Sequence, residues 1–163
     1  MSNLSSKAKK IKLVATDIDG VWTDARMYVT SEGDYMKAFS TYDGMAVSML
    51  KKKGIIVAII TSENTDIVLA RAKKLKIEEV YVDEHEKLKR LIYLSKKYEL
   101  TMDEIAYIGD DINDLETLKA VGLSGLSANS PIINDINPDY VTTRTGGQGA
   151  FREFSDLILN NQK

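Results

Sequence analysis

The sequence predicts a three-layer α/β fold, with a central parallel sheet covered by helices and one β-hairpin standing out as a flap. Short apolar runs alternate with amphipathic stretches of helical period along the chain. Strand–helix alternation with short links implies parallel strands joined by right-handed crossovers. A single segment breaks this alternation and reads as a hairpin. The 163 residues, 44% hydrophobic and 28% charged, suit one domain built around a single core.

Residues 1–10 lack the apolar stretch of a signal peptide and read as a flexible tail, which leaves 11–163 as the domain. Leu13-Val14-Ala15, within 12–16, is a short apolar run bounded by polar residues, as expected of a central parallel strand. Residues 27–39 form two short strands around a Glu32-Gly33-Asp34 turn. Helical periodicity then covers 44–53, 65–75, 84–98, 113–121 and 149–160, with strands at 55–60, 79–82, 105–108, 123–126 and 140–141.

Bulk properties exclude several functions. A net charge of -2 offers no basic excess for nucleic-acid phosphates. The absence of Cys removes disulfides, zinc thiolates and thiol nucleophiles. No stretch is long and apolar enough to cross a membrane, so a cytoplasmic protein is expected.

Chemistry-bearing residues fall at the ends of the predicted strands. Asp17 and Asp19 follow the first, at the edge where open α/β sheets bind ligands. Two carboxylates so close repel, and a hard divalent ion such as Mg²⁺ would hold both ionised. Thr61 ends 55–60, Lys87 lies just after 79–82, and Asp110 follows 105–109 and leads into Asp111-Ile112-Asn113-Asp114. Parallel strands bring these ends to one edge. An acidic metal pocket, a hydroxyl and an ammonium together suit phosphoryl transfer, which depends on positioning and charge neutralisation.

With these residues in view, the chain resembles the haloacid dehalogenase (HAD) phosphohydrolases over roughly residues 11 to 160, implying a Rossmann-like fold. Asp17-Ile18-Asp19-Gly20-Val21-Trp22-Thr23 matches the first family motif, Thr61 the second, Lys87 the third and Gly109-Asp110-Asp111-Ile112-Asn113-Asp114 the fourth. The resemblance implies that Asp17 attacks phosphorus, forming an aspartyl-phosphate. Asp19 would protonate the leaving alkoxide and then deprotonate water. Thr61 and Lys87 would hold the transferring oxygens. Mg²⁺ would be bound by Asp17, the Asp19 main-chain carbonyl and Asp110, with Asp111 and Asp114 behind, orienting Asp110 and Lys87. Family members usually carry a cap domain between the first and second, or second and third, motifs. Here 44 positions (61 − 17) and 26 positions (87 − 61) separate them, filled by the hairpin, helices and strands already named. A capless site is open, and a neighbouring subunit docked through the hairpin would enclose a small substrate. A homo-oligomer is therefore expected, and the resemblance implies a tetramer.

Within the superfamily, Asp19-Gly20-Val21-Trp22-Thr23-Asp24, Lys37-Ala38-Phe39, Asp43-Gly44 and the stretch from Arg144 to Glu153 resemble the capless phosphatases of 2-keto-3-deoxy sugar acids. These act on KDO 8-phosphate or on nonulosonate 9-phosphates. The octulosonate enzymes usually follow their second-motif Thr with Gly-Arg, whereas this chain has Thr61-Ser62-Glu63. Glu63, followed by Arg71 and Lys74 on one helix face, favours the nonulosonate group, with Thr41 as a further substrate-binding candidate. Arg71 would take the sugar-acid carboxylate as a planar fork.

Blander roles stand beside these. Thr61 also suits a helix N-cap, Lys87 a solvated helix position, and His85 a plain surface site. Trp22 would pack in the core or line the pocket. Arg71 and Lys74 would equally form a solvated basic face, and Arg144 and Arg152 would meet substrate or an adjoining subunit. Two other functional classes compete. A two-component receiver also uses strand-end aspartates, a Thr and a Lys, but this chain lacks an Asp at the end of the strand before Thr61. A non-catalytic tetramerisation module of a cytidylyltransferase system is the second alternative.

Overall fold

A computed structural model describes residues 3–162. Its first helix corrects the expectation of a flexible tail. Helix α1 (Asn3–Lys10) lies against the body of the protein, with Ala8 fully buried and Lys7 Nζ 2.5 Å from Asp139 Oδ1. Gln162 at the far end of the chain donates to the Ala8 and Ile11 carbonyls. The composition of this segment is polar, and a few small or apolar contacts suffice to hold it.

Strand β1 (Leu13–Thr16) is wholly buried and sits near the middle of the sheet. The hairpin comprises β2 (Tyr28–Thr30) and β3 (Gly33–Met36), paired antiparallel as a separate two-stranded sheet with an irregularity at Tyr28/Val29. There follow α2 (Thr41–Lys52), β4 (Ile56–Ile60), α3 (Asp66–Lys74), β5 (Glu79–Tyr81), α4 (Lys87–Lys97), β6 (Ile105–Gly109), α5 (Leu115–Ala120), β7 (Leu123–Leu126), β8 (Tyr140–Val141) and α6 (Ala150–Asn161). The main sheet runs β5-β4-β1-β6-β7-β8, with every pairing parallel.

Alternation along each strand makes the three layers. Val14, Val57 and Ala106 lie in register on one face with residues of α2, α3 and α6 such as Leu50, Val68 and Phe154. Leu13, Ala15, Ala58 and Tyr107 face the other way, onto Leu91 and Leu94 of α4 and Leu118 of α5. Helix α4 starts three residues later than its periodicity suggests. The Glu84 side chain accepts from the Glu86 N–H and from Arg90 Nε, and Asp83 has φ 55°, so 83–86 form a turn instead. Likewise 112–114 form a 3₁₀ turn before α5. No cap domain interrupts the described residues, consistent with the short spacing between the motifs.

Candidate active site

Asp17 is the residue after β1, and two contacts fix its side chain. Its Oδ1 accepts from the Ile18 N–H at 2.7 Å, and its Oδ2 lies 2.9 Å from Lys87 Nζ. The chain then turns tightly, with the N–H groups of Val21, Trp22 and Thr23 converging on the Ile18 carbonyl. This turn is braced from the far end of the sequence. Gly147 N–H donates to the Val21 carbonyl, and Asn129 links the Gly20 carbonyl to the Gly146 N–H. The Gly-rich C-terminal stretch thus supports the loop that carries the acidic pair. Trp22 belongs to the core: it is fully buried, stacks 4.8 Å from Phe151 and donates to Thr16 Oγ1.

Lys87 opens α4, where a cation meets the positive end of the helix dipole. Two carboxylates offset that unfavourable placement. Its ammonium lies between Asp17 Oδ2 and Asp114 Oδ1, the latter at 2.7 Å, with its side chain 1% exposed. Burial alone would lower its pKa, but Asp17 and Asp114 more than compensate and raise it, so Lys87 stays charged. Asp114 organises the far side. Its Oδ1 also accepts from Tyr107 Oη at 2.5 Å, and its Oδ2 accepts from the Asp110 and Asp111 N–H groups. Burial, then Asp114, pushes the Tyr107 hydroxyl well above its ordinary pKa, so it remains a donor.

Asp110 follows β6, with its carbonyl held by Ser130 Oγ. Burial, then the neighbouring Asp17 and Asp114 carboxylates, pushes Asp110 up to about 8. Burial and Asp114 push Asp17 up to about 7, against the pull of Lys87. Carboxyl oxygens of Asp17, Asp110 and Asp114 all lie within 4.8 Å of one another. These hard oxygen donors fit a divalent cation, whose charge would favour the ionised carboxylates. Gly20 makes room for the arrangement. It has φ 84°, and a Cβ there would stand 1.8 Å from Asp110 Oδ2. Asp114 is already engaged by a lysine, a tyrosine and two backbone donors, so Asp17 and Asp110 are the side chains suited to hold the ion.

Thr61 ends β4 and is buried, with its N–H on the Tyr81 carbonyl and its Oγ1 accepting from the Glu63 N–H. The helix N-cap is Thr65 instead. Thr61, Glu63, Asp19 and Asp111 share with Asp17 and Asp110 the lining of one cleft of about 220 Å³. Asp111 sits at the mouth of this cleft rather than behind it. It is exposed, and its Oδ1 caps the 3₁₀ turn through the Ile112 N–H, so orientation of Asp110 and Lys87 falls to Asp114.

The other substrate-binding candidates lie outside that lining. Arg71 packs on the start of α2, its guanidinium 5.5 Å from the Phe39 ring and donating to the Ser40 carbonyl. Lys74 and Thr41 are exposed. Arg152 is occupied by Asp156, and Arg144 lies over the Tyr42 ring. His85 is exposed beside Asp83. Sequence reasoning passed over two residues of the site. Tyr107 reads as one more apolar strand position, and Lys37, whose Nζ lies 2.6 Å from Asp19 Oδ1, enters the sequence reading only as part of the Lys37-Ala38-Phe39 resemblance, with no role in the site.

Comparison with known proteins gives concordant matches. Residues 35–122 match the haloacid dehalogenase-like hydrolase family. The chain is 36% identical over 159 residues to 3-deoxy-D-manno-octulosonate 8-phosphate phosphatase KdsC of Haemophilus influenzae, covering 98% of this chain and 88% of that one. Among solved structures, the phosphatase of the same name from Moraxella catarrhalis, in complex with a magnesium ion, a phosphate ion and a KDO molecule, superimposes with TM-score 0.94. It is 41% identical, covering 99% of this chain and 93% of that chain. The cobalt-bound form of the Haemophilus influenzae enzyme gives TM-score 0.92 at 37% identity, covering 96% and 91%.

Proposed function

This chain belongs to the haloacid dehalogenase-like hydrolases, in the phosphatase group of its relatives, and from that membership we propose that it is a Mg²⁺-dependent phosphomonoesterase acting on a 2-keto-3-deoxy sugar-acid phosphate. One observation carries the chemistry: a lysine between two buried aspartates, Asp17 and Asp114, with Asp110 within ligand distance of both. A buried ammonium held by carboxylates at the edge of a cleft is suited to meet the negative oxygens of a phosphoryl group.

Asp17 attacks phosphorus as its carboxylate, forming the Asp17–phosphorus ester as the bond to the departing sugar oxygen breaks. Asp19 gives its proton to that oxygen. It then takes a proton from water as the water oxygen attacks phosphorus and releases Asp17 and inorganic phosphate. The Thr61 hydroxyl and the Lys87 ammonium bind the equatorial oxygens, where charge accumulates. Bound Mg²⁺, held by Asp17, the Asp19 carbonyl and Asp110, supplies positive charge that keeps the carboxylates ionised and neutralises the phosphoryl group. Asp114 acts through Lys87 and the Asp110 backbone.

KDO 8-phosphate is the first substrate to expect, since the relatives above are named for it. Glu63 on the cleft wall, in Thr61-Ser62-Glu63, favours nonulosonate 9-phosphate as a second reading. Measuring phosphate release from both sugars, with Mg²⁺ and with a chelator, tests the proposal. Metal-dependent turnover of at least one supports it; a clear preference names the sugar, and inactivity on both removes the assignment. The cleft is smaller than the roughly 300–1,000 Å³ of enclosing ligand pockets, which is in keeping with a homo-oligomer in which a neighbouring copy covers it; a tetramer is the assembly the resemblance implies. Lys74 and Thr41, exposed and outside the cleft lining of their own chain, would then be available to substrate held by an adjoining copy, whereas Arg71 would first have to leave the Ser40 carbonyl.

A further inference from the structure

With Asp17, Asp19, Thr61 and Asp110 given to the phosphoryl group, two neutral hydrogen-bonding side chains remain in the cleft lining, Ser62 and Asn113. They stand on loops either side of the nucleophile's strand. Ser62 follows β4, Asn113 lies in the turn after β6, and both strands pair with β1. Asn113 Nδ2 donates to Ser62 Oγ at 3.3 Å, so the amide bridges the two walls of the cleft. Ser62 is held in turn by the loop after β5, its Oγ donating to the Glu84 carbonyl at 3.4 Å. The residues beside it accept backbone bonds from that same loop, Thr61 from the Glu84 N–H and Glu63 from the Asp83 N–H. Asn113 sits on a turn closed by reciprocal caps between Asp111 and Asp114. Both side chains thus spring from backbone that is tied down, and Asn113 itself is exposed. Its amide oxygen accepts from no described residue.

We infer that Asn113 is a specificity-determining residue whose amide oxygen accepts from the substrate hydroxyl on the carbon next to the phosphate ester, and that Ser62 is a positioning residue which holds that amide by its nitrogen. The inference rests on the reading of the substrate as a sugar-acid phosphate. KDO 8-phosphate and the nonulosonate 9-phosphates both carry a hydroxyl on that carbon, so the contact serves either sugar. A cleft of about 220 Å³ has room for the phosphate and the carbons nearest to it, and its walls meet that end of the substrate. Beside the negative charge of a phosphoryl group a neutral acceptor is well suited, whereas the other polar groups left in the lining, the Glu63 and Asp111 carboxylates, repel it. An amide offers donors on its nitrogen and an acceptor on its oxygen. With the nitrogen spent on Ser62, the oxygen is the end left for a ligand; without Ser62 the amide is free to turn over. The Thr-Gly-Arg pattern usual in the octulosonate enzymes has no hydroxyl at this position, so the bridge belongs to this chain's own Thr61-Ser62-Glu63.

The test compares kcat/KM for KDO 8-phosphate or the nonulosonate ester, whichever is turned over, with kcat/KM for p-nitrophenyl phosphate, which has no hydroxyl beside its ester. Asn113→Ala should lower the sugar value about three- to ten-fold, the loss of one neutral hydrogen bond, with the change carried by KM. The p-nitrophenyl value should stay within about two-fold of the parent. Ser62→Ala should act in the same direction, and Ser62→Thr, which keeps the hydroxyl, should retain most of the sugar value. Combining Ser62→Ala with Asn113→Ala should lower the sugar value no further than Asn113→Ala alone, because the serine acts through the amide. An equal fall for both esters, no fall for the sugar, or fully additive losses in the combined variant overturns the inference and leaves the phosphatase reading standing. A parent protein that turns over p-nitrophenyl phosphate and neither sugar removes the substrate reading, and the inference goes with it. Turnover of p-nitrophenyl phosphate also reports that each variant is folded.

Discussion

Four aspartates, Asp17, Asp19, Asp110 and Asp114, meet at the end of the sheet with two lysines, and each lysine is tied to a different pair of carboxylates. Lys87 binds Asp17 and Asp114; Lys37 binds Asp19 and Asp34. Asp114 shares Lys87 with the nucleophile, so replacing it probes the support of the site while leaving the attacking carboxylate in place. Asp114→Asn keeps the shape but removes the charge that offsets Lys87 burial, and it disturbs the acceptors of Tyr107 and the Asp110 N–H. Turnover should fall about 10- to 100-fold with weakened Mg²⁺ affinity, the range seen when groups supporting a metal ligand are removed. Titrating Mg²⁺ against activity checks it, and a variant with unchanged metal affinity would argue that Asp114 is merely structural. At this scale the sequence was legible where residue type declared the chemistry. Asp17, Asp19 and Asp110 were visible as carboxylates at strand ends. Tyr107 was not, because nothing in an alternating strand tells a hydroxyl that caps Asp114 from a ring that fills the core.

At the scale of elements, the ends of β1, β4 and β6 deliver Asp17 and Asp19, Thr61, and Asp110 to one cleft, and Lys87 at the start of α4 reaches Asp17. Helix α2 shows a further consequence of packing. Asp43 in its first turn is fully buried, with Oδ1 accepting from the Arg152 N–H and Oδ2 unpartnered. Burial pushes it up to about 6, against the opposing effects of the Arg152 N–H and of the Arg71, Arg144 and Arg152 charges on α3, the 140–149 segment and α6. The folded state therefore holds this proton more tightly than the unfolded chain does. Its favourable contribution is complete below about pH 4 and is lost as pH rises to about 6, by roughly 2–3 kcal/mol. Asp43→Asn should flatten the stability profile between those limits, as read by urea unfolding at several pH values; an unchanged slope would assign the dependence to other groups. The order and type of the elements follow from apolar periodicity, whereas their starts do not. Helix α4 begins at Lys87 because Glu84 spends its side chain on the Glu86 N–H and Arg90, a local bond that periodicity does not register. Helix α1 escaped notice because Ala8 and Leu4 are too few to make an apolar face on paper, though they suffice against α6 and the core.

For the whole molecule, the absence of a cap was legible from spacing alone, since 44 and 26 positions between motifs leave room only for the fold itself. A neighbouring copy over the site, as proposed above, would depend on surfaces beyond one chain, which spacing does not register. The hairpin exposes Met27, Val29, Tyr35 and Met36 by about half or more, an apolar patch unlike an ordinary solvated turn. Replacing the most exposed of these, Tyr35→Glu, should shift the assembly towards smaller species in sedimentation and raise KM for the sugar phosphate. A parent protein that sediments as a monomer would remove the neighbouring copy from the account. The preference for a nine-carbon sugar, drawn from Glu63, Arg71 and Lys74, stands apart from relatives named for the eight-carbon one, and of the three only Glu63 lines the cleft. The central claim is that Asp17 carries the phosphoryl group during turnover. Rapid acid quench of the enzyme turning over its sugar phosphate with Mg²⁺, followed by peptide mass measurement, tests it most directly. One phosphoryl group on the peptide containing Asp17, absent in Asp17→Asn, is the predicted result; steady turnover with that peptide unmodified, or with the group on another residue, would contradict it.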